Sequence, residues 1–537
     1  MASVWAFRPE EPAVSDHARP ATYRTLDEVE ETLSPAEQRF ERLRRTSGLA
    51  IGPVVAVVVY LICSGLDEPA QKLAGILSLV IVWWMTEAIP IPVTAMLAMA
   101  ACVLLGVAPA EDVFALFGNS TIFVFIGGFV LAEAMRKHGL DQRFAYGVLS
   151  IPGVASSTVR VVVAFGLISA GLSAFVSNTA SAAMLMPIAM GIIGFLAGRV
   201  SAQSDEDADP DDVRRLRFST ALLLMVAYGA SVGGLLTPVG SPPNLIGREL
   251  ITQETGEEIP FFTWMLLAFP IVALMFVALC IVLLRLNKPE TKRIEGAEQF
   301  IREQRANLGP MGRGGRNTLI AFAVTVTLWI LPGFVALLTG GEGSFYESVS
   351  AHLQEGAVAI LGASLLFLLP VDWPRRQFTI TWNDASRIDW GTIVLFGSGI
   401  ALGGLLGSTG LAESMGTGLS DLLGVSSLLS ITLLSTVIAV VISETTSNTA
   451  SVGVVAPIAI QLALAADVNP SIPALAAVFG ASYGFMLPVS TPPNAIVYGT
   501  GLVPITRMVR SGIVFDIIGI VIIVAGVTTM ANVLGIG

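Results

Sequence analysis

Charged residues are scarce in this sequence of 537 residues. Asp, Glu, Lys and Arg make up 13% of it, whereas hydrophobic residues make up 53%. A soluble domain normally carries about a quarter charged residues. The shortage, together with many apolar runs of about 18–25 residues, predicts an all-α polytopic membrane protein. The apolar runs do not alternate with polar residues, which argues against a transmembrane β-barrel.

Cysteine and histidine are also rare, with three of each. Cys63, Cys102 and Cys280 lie inside apolar segments without a pairing pattern or a metal-ligand spacing, and we interpret them as core residues. The scattered histidines argue against a histidine-ligated metal site. The sequence contains no nucleophile–base pair and no set of metal ligands at a spacing that an enzyme needs. We therefore expect no enzymatic activity, no cofactor and no nucleic-acid partner.

The N-terminal segment, 1–48, is polar, and the first apolar stretch begins near Ala50. A cleavable signal peptide is therefore not expected, and 1–48 is predicted to be a cytoplasmic tail. Ser34-Pro35-Ala36-Glu37 matches a capping box with proline at the first helical position. It predicts a short interfacial helix that runs through Arg45.

About eleven transmembrane helices and two re-entrant hairpins explain the apolar segments. Each hairpin, at about 145–199 and 418–465, has two apolar arms separated by a polar Ser-Asn-Thr turn. Non-helical backbone at membrane depth is tolerated only where it is buried in protein or lines a cavity. The spans are predicted near 50–66, 73–90, 92–107, 119–136, 218–249, 262–285, 317–339, 355–370, 390–410, 470–500 and 511–535.

The basic residues set the orientation of this layout. With a cytoplasmic N-terminus and an external C-terminus, only Lys72, Arg160 and Arg248 of the 30 Lys and Arg residues fall outside the cytoplasmic segments. That distribution obeys the positive-inside rule. We expect a multi-pass protein of the cell membrane (plasma or inner membrane), in contact with lipid.

The sequence repeats itself in two halves. The Ser-Asn-Thr-Ala-Ser motif at 177–181 recurs at 447–451. The Gly-Ser-Pro-Pro-Asn motif at 240–244 is matched in the second half by Ser-Thr-Pro-Pro-Asn at 490–494. Because the first hairpin enters from the inside and the second from the outside, the halves are predicted to be inverted repeats. Interrupted helices at matching positions of such repeats mark a transporter's substrate site.

The chemistry of these turns suits an anion. Ser, Thr and Asn cap helices, and a helix start offers free backbone N–H groups and the positive end of the helix dipole. Ser241-Pro242 and Thr491-Pro492 indicate two further helix starts within the membrane. The preceding residues offer neutral oxygens, of the kind that sodium sites in transporters use. They form two candidate clusters: Ser173, Ser177, Asn178 and the carbonyl of Gly240; and Ser443, Thr446, Asn448 and the carbonyl of Ser490.

Fixed positive charge is absent from the four stretches that carry the turns. The stretches 171–190, 229–247, 445–461 and 480–500 contain no Lys, Arg or His. A dianion at membrane depth is costly without partners, and each helix dipole contributes at most roughly 1–2 kcal/mol. Co-bound cations would neutralise the solute far better, so the composition favours cation symport. Glu444 is open to two interpretations, a proton carrier or a buried acid bonded to a neighbouring hydroxyl.

With these motifs, the chain resembles the divalent anion:sodium symporter family of dicarboxylate, citrate and sulfate carriers. The resemblance covers roughly 50–537 and rests on the paired Ser-Asn-Thr and Pro-Pro-Asn turns and on Thr86-Glu87-Ala88-Ile89-Pro90. It implies a homodimer in which a transport domain carrying both hairpins moves like an elevator against a scaffold domain. It also implies sodium-coupled uptake of a C4 dicarboxylate such as succinate, malate or fumarate. A sodium-independent dicarboxylate exchanger and a sodium-coupled citrate or sulfate carrier remain alternatives.

The resemblance also implies roles for individual residues. The residues expected to bind the substrate are Ser177, Asn178, Thr179, Ser241, Pro242, Ser447, Asn448, Thr449, Thr491 and Pro492. The first sodium ion would be held by Ser173, Ser177, Asn178 and Gly240, and the second by Ser443, Thr446, Asn448 and Ser490. The implied segments are the tail (1–48), scaffold helices (49–142 and 317–417), transport parts (143–286 and 418–537) and a cytoplasmic linker (287–316). A channel or a membrane-embedded enzyme is the alternative of a different class.

Overall fold

The structure is a computed structural model that describes residues 35–201, 216–415, 418 and 426–536. The start of the polar tail and most of the acidic linker near 201–217 lie outside the described residues. So does part of the segment that precedes the second hairpin.

The described residues are almost entirely helical, as the composition predicts. The helices are α1 (Pro35–Ile62), α2 (Glu68–Thr86), α3 (Ile91–Leu104), α4 (Ala110–Ala115), α5 (Ser120–Lys137), α6 (Leu140–Leu149), α7 (Thr158–Ser173), α8 (Asn178–Ser201), α9 (Arg217–Gly234), α10 (Pro242–Thr255), α11 (Phe261–Leu286), α12 (Ala297–Asn307), α13 (Arg313–Thr339), α14 (Ser344–His352), α15 (Glu355–Leu368), α16 (Trp382–Ala385), α17 (Trp390–Ser408), α18 (Leu428–Thr445), α19 (Asn448–Ala465), α20 (Ser471–Ala481), α21 (Pro492–Tyr498) and α22 (Ile505–Leu534). A 3₁₀ turn covers Leu116–Gly118, and a two-stranded antiparallel ribbon pairs β1 (Pro370–Asp372) with β2 (Gln377–Phe378).

Within the described residues, ten helices are long and apolar enough to cross a membrane, or eleven if the bent pair α14–α15 is one span. This confirms the prediction of an all-α polytopic membrane protein. The ten include α8, α18 and α19, which the sequence assigns to the re-entrant hairpins. Re-entry itself stays a prediction, as does the inverted relation of the two halves.

One detail differs from the predicted layout. The helix predicted in the tail does begin at Pro35, but it runs without a break to Ile62, so the tail helix and the first span form one helix. The stretches 218–249 and 470–500 are each interrupted, the first between α9 and α10 and the second between α20 and α21, as the Ser-Pro and Thr-Pro helix starts within them predict. In both, the second helix begins at the first proline of the Pro-Pro-Asn motif.

Packing between the halves brings the interrupted helices together. Helix α10, from the first half, packs on α19 of the second hairpin, and α21, from the second half, packs on α8 of the first hairpin. Gln461 near the end of α19 donates a hydrogen bond to Glu254 near the end of α10, at 3.2 Å. The C-terminal parts of the two helices therefore lie side by side.

Candidate functional site

The first Ser-Asn-Thr turn joins α7 to α8. Helix α7 ends at Ser173 and α8 begins at Asn178, so the turn stands where the second arm starts, as the sequence predicts. Ser173 Oγ donates a hydrogen bond to Asn178 Oδ1 at 2.6 Å. Ser177 Oγ accepts one from the N–H of Ala180 at 3.3 Å, which satisfies a backbone donor that a helix start leaves without a partner. Ser177, Asn178 and Thr179 are all partly exposed.

The second Ser-Asn-Thr turn has the same construction. Ser443 Oγ lies 2.9 Å from Asn448 Oδ1 and 2.7 Å from the carbonyl oxygen of Ala481. Ser447 caps α19 by accepting a hydrogen bond from the N–H of Ala450 at 3.2 Å. The Ser-to-Asn hydrogen bond of the first turn thus recurs at the matching position of the second half. Thr446, which precedes the cap, is extended and buried.

Each interrupted helix contains a non-helical break, between α9 and α10 in the first half and between α20 and α21 in the second. The asparagine of each Pro-Pro-Asn motif forms hydrogen bonds to carbonyl groups at its break. Asn244 Nδ2 donates to the carbonyl oxygens of Gly234 and Thr237, both at 2.8 Å. Asn494 Nδ2 donates to the carbonyl oxygens at the same positions relative to its own motif, those of Gly484 and Leu487, at 2.9 and 3.1 Å. Each asparagine therefore ties together two carbonyl groups at or near the break that precedes its own helix, a role that its sequence motif alone does not indicate.

Backbone oxygens meet at the first break. A Cβ atom added at Gly240 would lie 2.6 Å from the carbonyl oxygen of Gly234, 2.8 Å from that of Ser173 and 2.9 Å from that of Ala174. Only glycine fits in such a position. The structure therefore brings Gly240 next to Ser173, and through the Ser173 hydroxyl next to Asn178, three of the four residues predicted for the first cation site.

The predicted second cation site is also brought together. A Cβ atom added at Gly484 would lie 2.8 Å from the carbonyl oxygen of Ser443 and 2.9 Å from Cβ of Ser490. Ser443 is bonded to Asn448, and Thr446 lies between them in the chain. Ser443, Thr446 and Ser490 are at most 1% exposed, so polar oxygens of this group are well shielded from solvent.

Ser241, Pro242, Thr491 and Pro492 stand at the start of α10 and α21. Ser241 and Thr491 occupy the N-cap positions, and Thr491 Oγ1 accepts a hydrogen bond from the N–H of Asn494 at 3.4 Å. Both hydroxyl residues are buried, at 2% and 3% exposure. Helix starts at all four turns are thus observed, and each directs backbone N–H groups toward its own N-terminal end.

The carboxylate of Glu444 is hydrogen-bonded to residues of the second break. It accepts hydrogen bonds from the N–H groups of Phe485, Met486 and Leu487, at 2.6–3.3 Å, and from Ser490 Oγ at 2.9 Å. Of the two interpretations, the structure supports the acid bonded to a neighbouring hydroxyl, with three backbone amides in addition. In the first half Ala174 stands at this position, and Thr237 closes the break by donating to the Ala174 carbonyl and accepting from the N–H of Gly240.

A basic residue that the sequence analysis did not associate with the turns lies near the second one. Arg44 Nη1, from α1, donates to the carbonyl oxygen of Thr445 at 3.1 Å. The sequence does not indicate this contact, because the two residues lie far apart along the chain.

Two of the three basic residues that departed from the positive-inside distribution are paired with acids. Arg248 lies 2.6 Å from Glu355, and Lys72 lies 2.7 Å from Glu68.

No group of three or more His, Cys, Asp or Glu side chains suited to a metal ion occurs among the described residues. The oxygens that the proposed ligand residues offer are hydroxyl, amide and carbonyl oxygens, and the Glu444 carboxylate lies next to the second group, bonded to Ser490. Neutral oxygen ligands suit a hard monovalent cation.

Comparison with known proteins agrees with this architecture. The family model described as the sodium:sulfate symporter transmembrane region matches residues 44–536. The sodium-dependent dicarboxylate transporter SdcS of Staphylococcus saprophyticus is 33% identical over 481 residues, which cover 89% of each chain. The transporter of the same name from Staphylococcus aureus is 32% identical over 505 residues, covering 91% of this chain and 92% of the relative.

Two solved structures share the fold at low sequence identity. The YdaH transporter of Alcanivorax borkumensis aligns with a TM-score of 0.50 and 13% identity over 88% of this chain and 98% of its own. MtrF of Neisseria gonorrhoeae aligns with a TM-score of 0.52 and 13% identity over 86% of this chain and 95% of its own. At this identity the likeness concerns the fold alone.

Proposed function

The chain belongs to the sodium:sulfate symporter family of membrane transporters, and from this premise we propose that it is a sodium-coupled symporter of a C4 dicarboxylate. Two features support the proposal. Relatives at 32–33% identity are named sodium-dependent dicarboxylate transporters. The hydrogen bonds of the two turns and of the two breaks recur at matching positions of the two halves. The names of the relatives carry the proposed coupling ion and substrate class, and the recurring hydrogen bonds support the location of the site in this chain.

The substrate would lie between the two Ser-Asn-Thr turns and the two Pro-Pro-Asn helix starts. Hydroxyl and amide groups at a helix start donate hydrogen bonds to carboxylate oxygens, and the dipole favours their charge. The packing of α10 on α19 and of α21 on α8 supports this placement, because each pair joins helices of different halves that begin at one of these turns. The proposed substrate residues are Ser177, Asn178, Thr179, Ser241, Pro242, Ser447, Asn448, Thr449, Thr491 and Pro492.

Two sodium ions would flank the substrate and offset its charge. Neither turn carries a Lys, Arg or His of its own, and a dianion in a low-dielectric site is stabilised strongly by neighbouring cations. The proposed ligands of the first ion are Ser173, Ser177, Asn178 and Gly240. Those of the second are Ser443, Thr446, Asn448 and Ser490. No other cofactor and no catalytic step are part of the proposal.

Gly240→Ala tests the first sodium site. The added Cβ would lie within 3 Å of the carbonyl oxygens of Gly234, Ser173 and Ala174. The backbone between α9 and α10 therefore has to shift, which moves the oxygens proposed to bind sodium. We expect sodium-dependent uptake to fall at least about tenfold, the loss that about 1.4 kcal/mol of displaced binding energy produces. Gly194→Ala is the matched control, since a Cβ at Gly194 in α8 meets open space. Normal uptake by Gly240→Ala would contradict the site.

Movement of the hairpins past a scaffold would carry the site across the membrane. We propose that residues 143–286 and 418–537 form the moving part and that 49–142 and 317–417 form the scaffold, joined by the 287–316 linker. In this proposal the scaffold holds a homodimer in the lipid of the cell membrane. The N-terminal tail, 1–48, would face the cytoplasm and the C-terminus the outside.

Uptake into proteoliposomes tests the coupling. Purified protein is reconstituted, and uptake of labelled succinate is measured with an inward sodium gradient and with sodium replaced by choline. We expect uptake to fall to the level of empty liposomes in choline. Undiminished uptake that depends on internal dicarboxylate would instead identify an exchanger. Competition by unlabelled malate, fumarate, citrate and sulfate in the same assay separates a C4 dicarboxylate carrier from a citrate or sulfate carrier.

A further inference from the structure

Helix α1 is packed tightly on α2 along one face. Gly48 and Gly52, one and two turns after Arg44, face α2, where a Cβ at Gly48 would overlap Thr86 Oγ1 and one at Gly52 would overlap the Trp83 ring. Trp83 Nε1 also donates to the carbonyl oxygen of Gly48 at 3.1 Å. Small residues spaced in this way let membrane helices approach closely. The same spacing places Arg44 on this face, at the end of α2.

The end of α2 carries an acid that faces Arg44. Glu87 follows the last residue of the helix and has a left-handed backbone conformation, with φ of 47°. Its Oε2 lies 3.7 Å from Arg44 Nη2 and 3.6 Å from Arg45 Nη2. The side chains are well shielded, at 13%, 17% and 24% exposure for Arg44, Arg45 and Glu87. The acid therefore fixes the arginine between α2 and its further partner.

That partner belongs to the second hairpin. Arg44 Nη1 donates to the carbonyl oxygen of Thr445, the last residue of α18. The last four carbonyls of a helix have no partner within it, and they carry the negative end of its dipole. A guanidinium group is a suitable partner for such a carbonyl. Thr446 and the cap Ser447 follow directly, so Arg44 contacts the residue that leads into the second turn.

The first hairpin is held differently at the equivalent position. Phe175 stands two residues before Ser177, just as Thr445 stands two residues before Ser447. It packs edge-on against Phe322 of α13, with ring centroids 5.2 Å apart and planes at 83°. An apolar ring contact tolerates sliding, whereas a charge-assisted hydrogen bond is directional and holds one geometry. Each hairpin tip thus contacts a helix outside the proposed moving part, and of these two contacts the one at the second tip is polar.

We propose that Arg44, held by Glu87, is a positioning residue that latches the second turn in this conformation, and that the latch opens whenever the hairpin moves against α1 and α2. The movement is part of the proposed transport function, and the inference rests on it to that extent. The holding of the turn by Arg44 is a property of the resting protein and can be measured without substrate.

Hydrogen exchange of the purified protein tests whether Arg44 holds the second turn. In Arg44→Ala, we expect the amides of residues 446–450 to exchange about tenfold faster, the factor that a charge-assisted hydrogen bond supports. Amides of 176–180 in the first turn should keep their rates and serve as the internal control. Arg44→Lys should restore most of the protection, and Lys72→Ala is a matched control for removal of a basic residue. Unchanged rates at both turns, or equal acceleration at both, would overturn the proposal.

Cross-linking tests whether the contact between Arg44 and Thr445 has to open during transport. Arg44→Cys and Thr445→Cys are combined in a protein whose Cys63, Cys102 and Cys280 are replaced by serine, and the pair is joined by a short reducible dithiol-reactive linker. We expect linked protein to stop sodium-dependent succinate uptake and reduction to restore it. Uptake at the unlinked rate by fully linked protein would show that the latch need not open, which contradicts the proposal. If the unmodified protein shows no uptake, the proposed transport function fails, while the hydrogen-exchange result still decides whether Arg44 holds the turn.

Discussion

Asn448→Ala is expected to reduce sodium-dependent succinate uptake about a hundredfold, with normal amounts of folded protein in the membrane. Asn448 accepts a hydrogen bond from Ser443 and is assigned to both the substrate and the second sodium ion, so alanine removes contacts to two ligands at once. A hydrogen bond to a charged group contributes about 1.5–3 kcal/mol, which corresponds to a factor of roughly 10–150. Asn178→Ala in the first turn should have an equal effect.

Asn532→Ala is the matched control for both changes. Asn532 occupies an exposed position near the end of α22, and its amide donates to the carbonyl oxygen of Thr528 at 2.8 Å. Alanine removes the same chemical group there from a residue that belongs to none of the four turns, so uptake should be unchanged. Transport assays normalised to the amount of folded protein decide the result. Near-normal uptake by both Asn178→Ala and Asn448→Ala would remove the assignment of the site.

Glu444→Leu is expected to destabilise the folded protein by several kcal/mol. The carboxylate accepts hydrogen bonds from three successive backbone amides and from Ser490 Oγ, and it is 2% exposed. Leucine leaves these donors buried without an acceptor, and each such donor costs about 1–3 kcal/mol. The melting temperature of the purified protein should fall clearly, and the break between α20 and α21 should lose its geometry, with uptake lost as a consequence.

Glu444→Gln separates the hydrogen-bond role from charge. The amide keeps one acceptor oxygen, so we expect a smaller fall in melting temperature than with leucine. Glu342→Leu, on an exposed position of the loop between α13 and α14, controls for the change in side-chain type. Equal melting temperatures for Glu444→Leu and the unmodified protein would show that the carboxylate is not needed to hold the break.

Local sequence patterns predicted the helix starts well. Asn178 and Asn448 begin their helices, and Pro242 and Pro492 begin theirs, because capping residues and proline act over three or four neighbouring positions. The membrane class and the family followed from composition and from these motifs. Hydropathy failed to separate α9 from α10 and α20 from α21, since a window of about 19 residues averages across a short break.

Contacts between distant parts of the chain could not be predicted. The bonds from Phe485, Met486 and Leu487 to Glu444 join parts of the chain on either side of α19 and α20, and no periodicity indicates them. Arg44 looked like one of several surface charges in a polar tail, because nothing local connects it to Thr445. The continuation of the tail helix into the first span was missed for a local reason. The charges of the tail end at Arg45, just before the apolar stretch, and this change in composition indicated a boundary where the helix is continuous. The division into scaffold and moving parts stays a prediction.

The most direct test of coupled transport measures both solutes in one experiment. Proteoliposomes receive sodium-22 and carbon-14 succinate together, and the uptake of each label is recorded with and without the other solute. We predict that succinate raises sodium entry, that sodium raises succinate entry, and that Asn448→Ala abolishes both effects. Succinate entry that proceeds at the same rate without sodium, and brings no labelled sodium with it, would contradict the account.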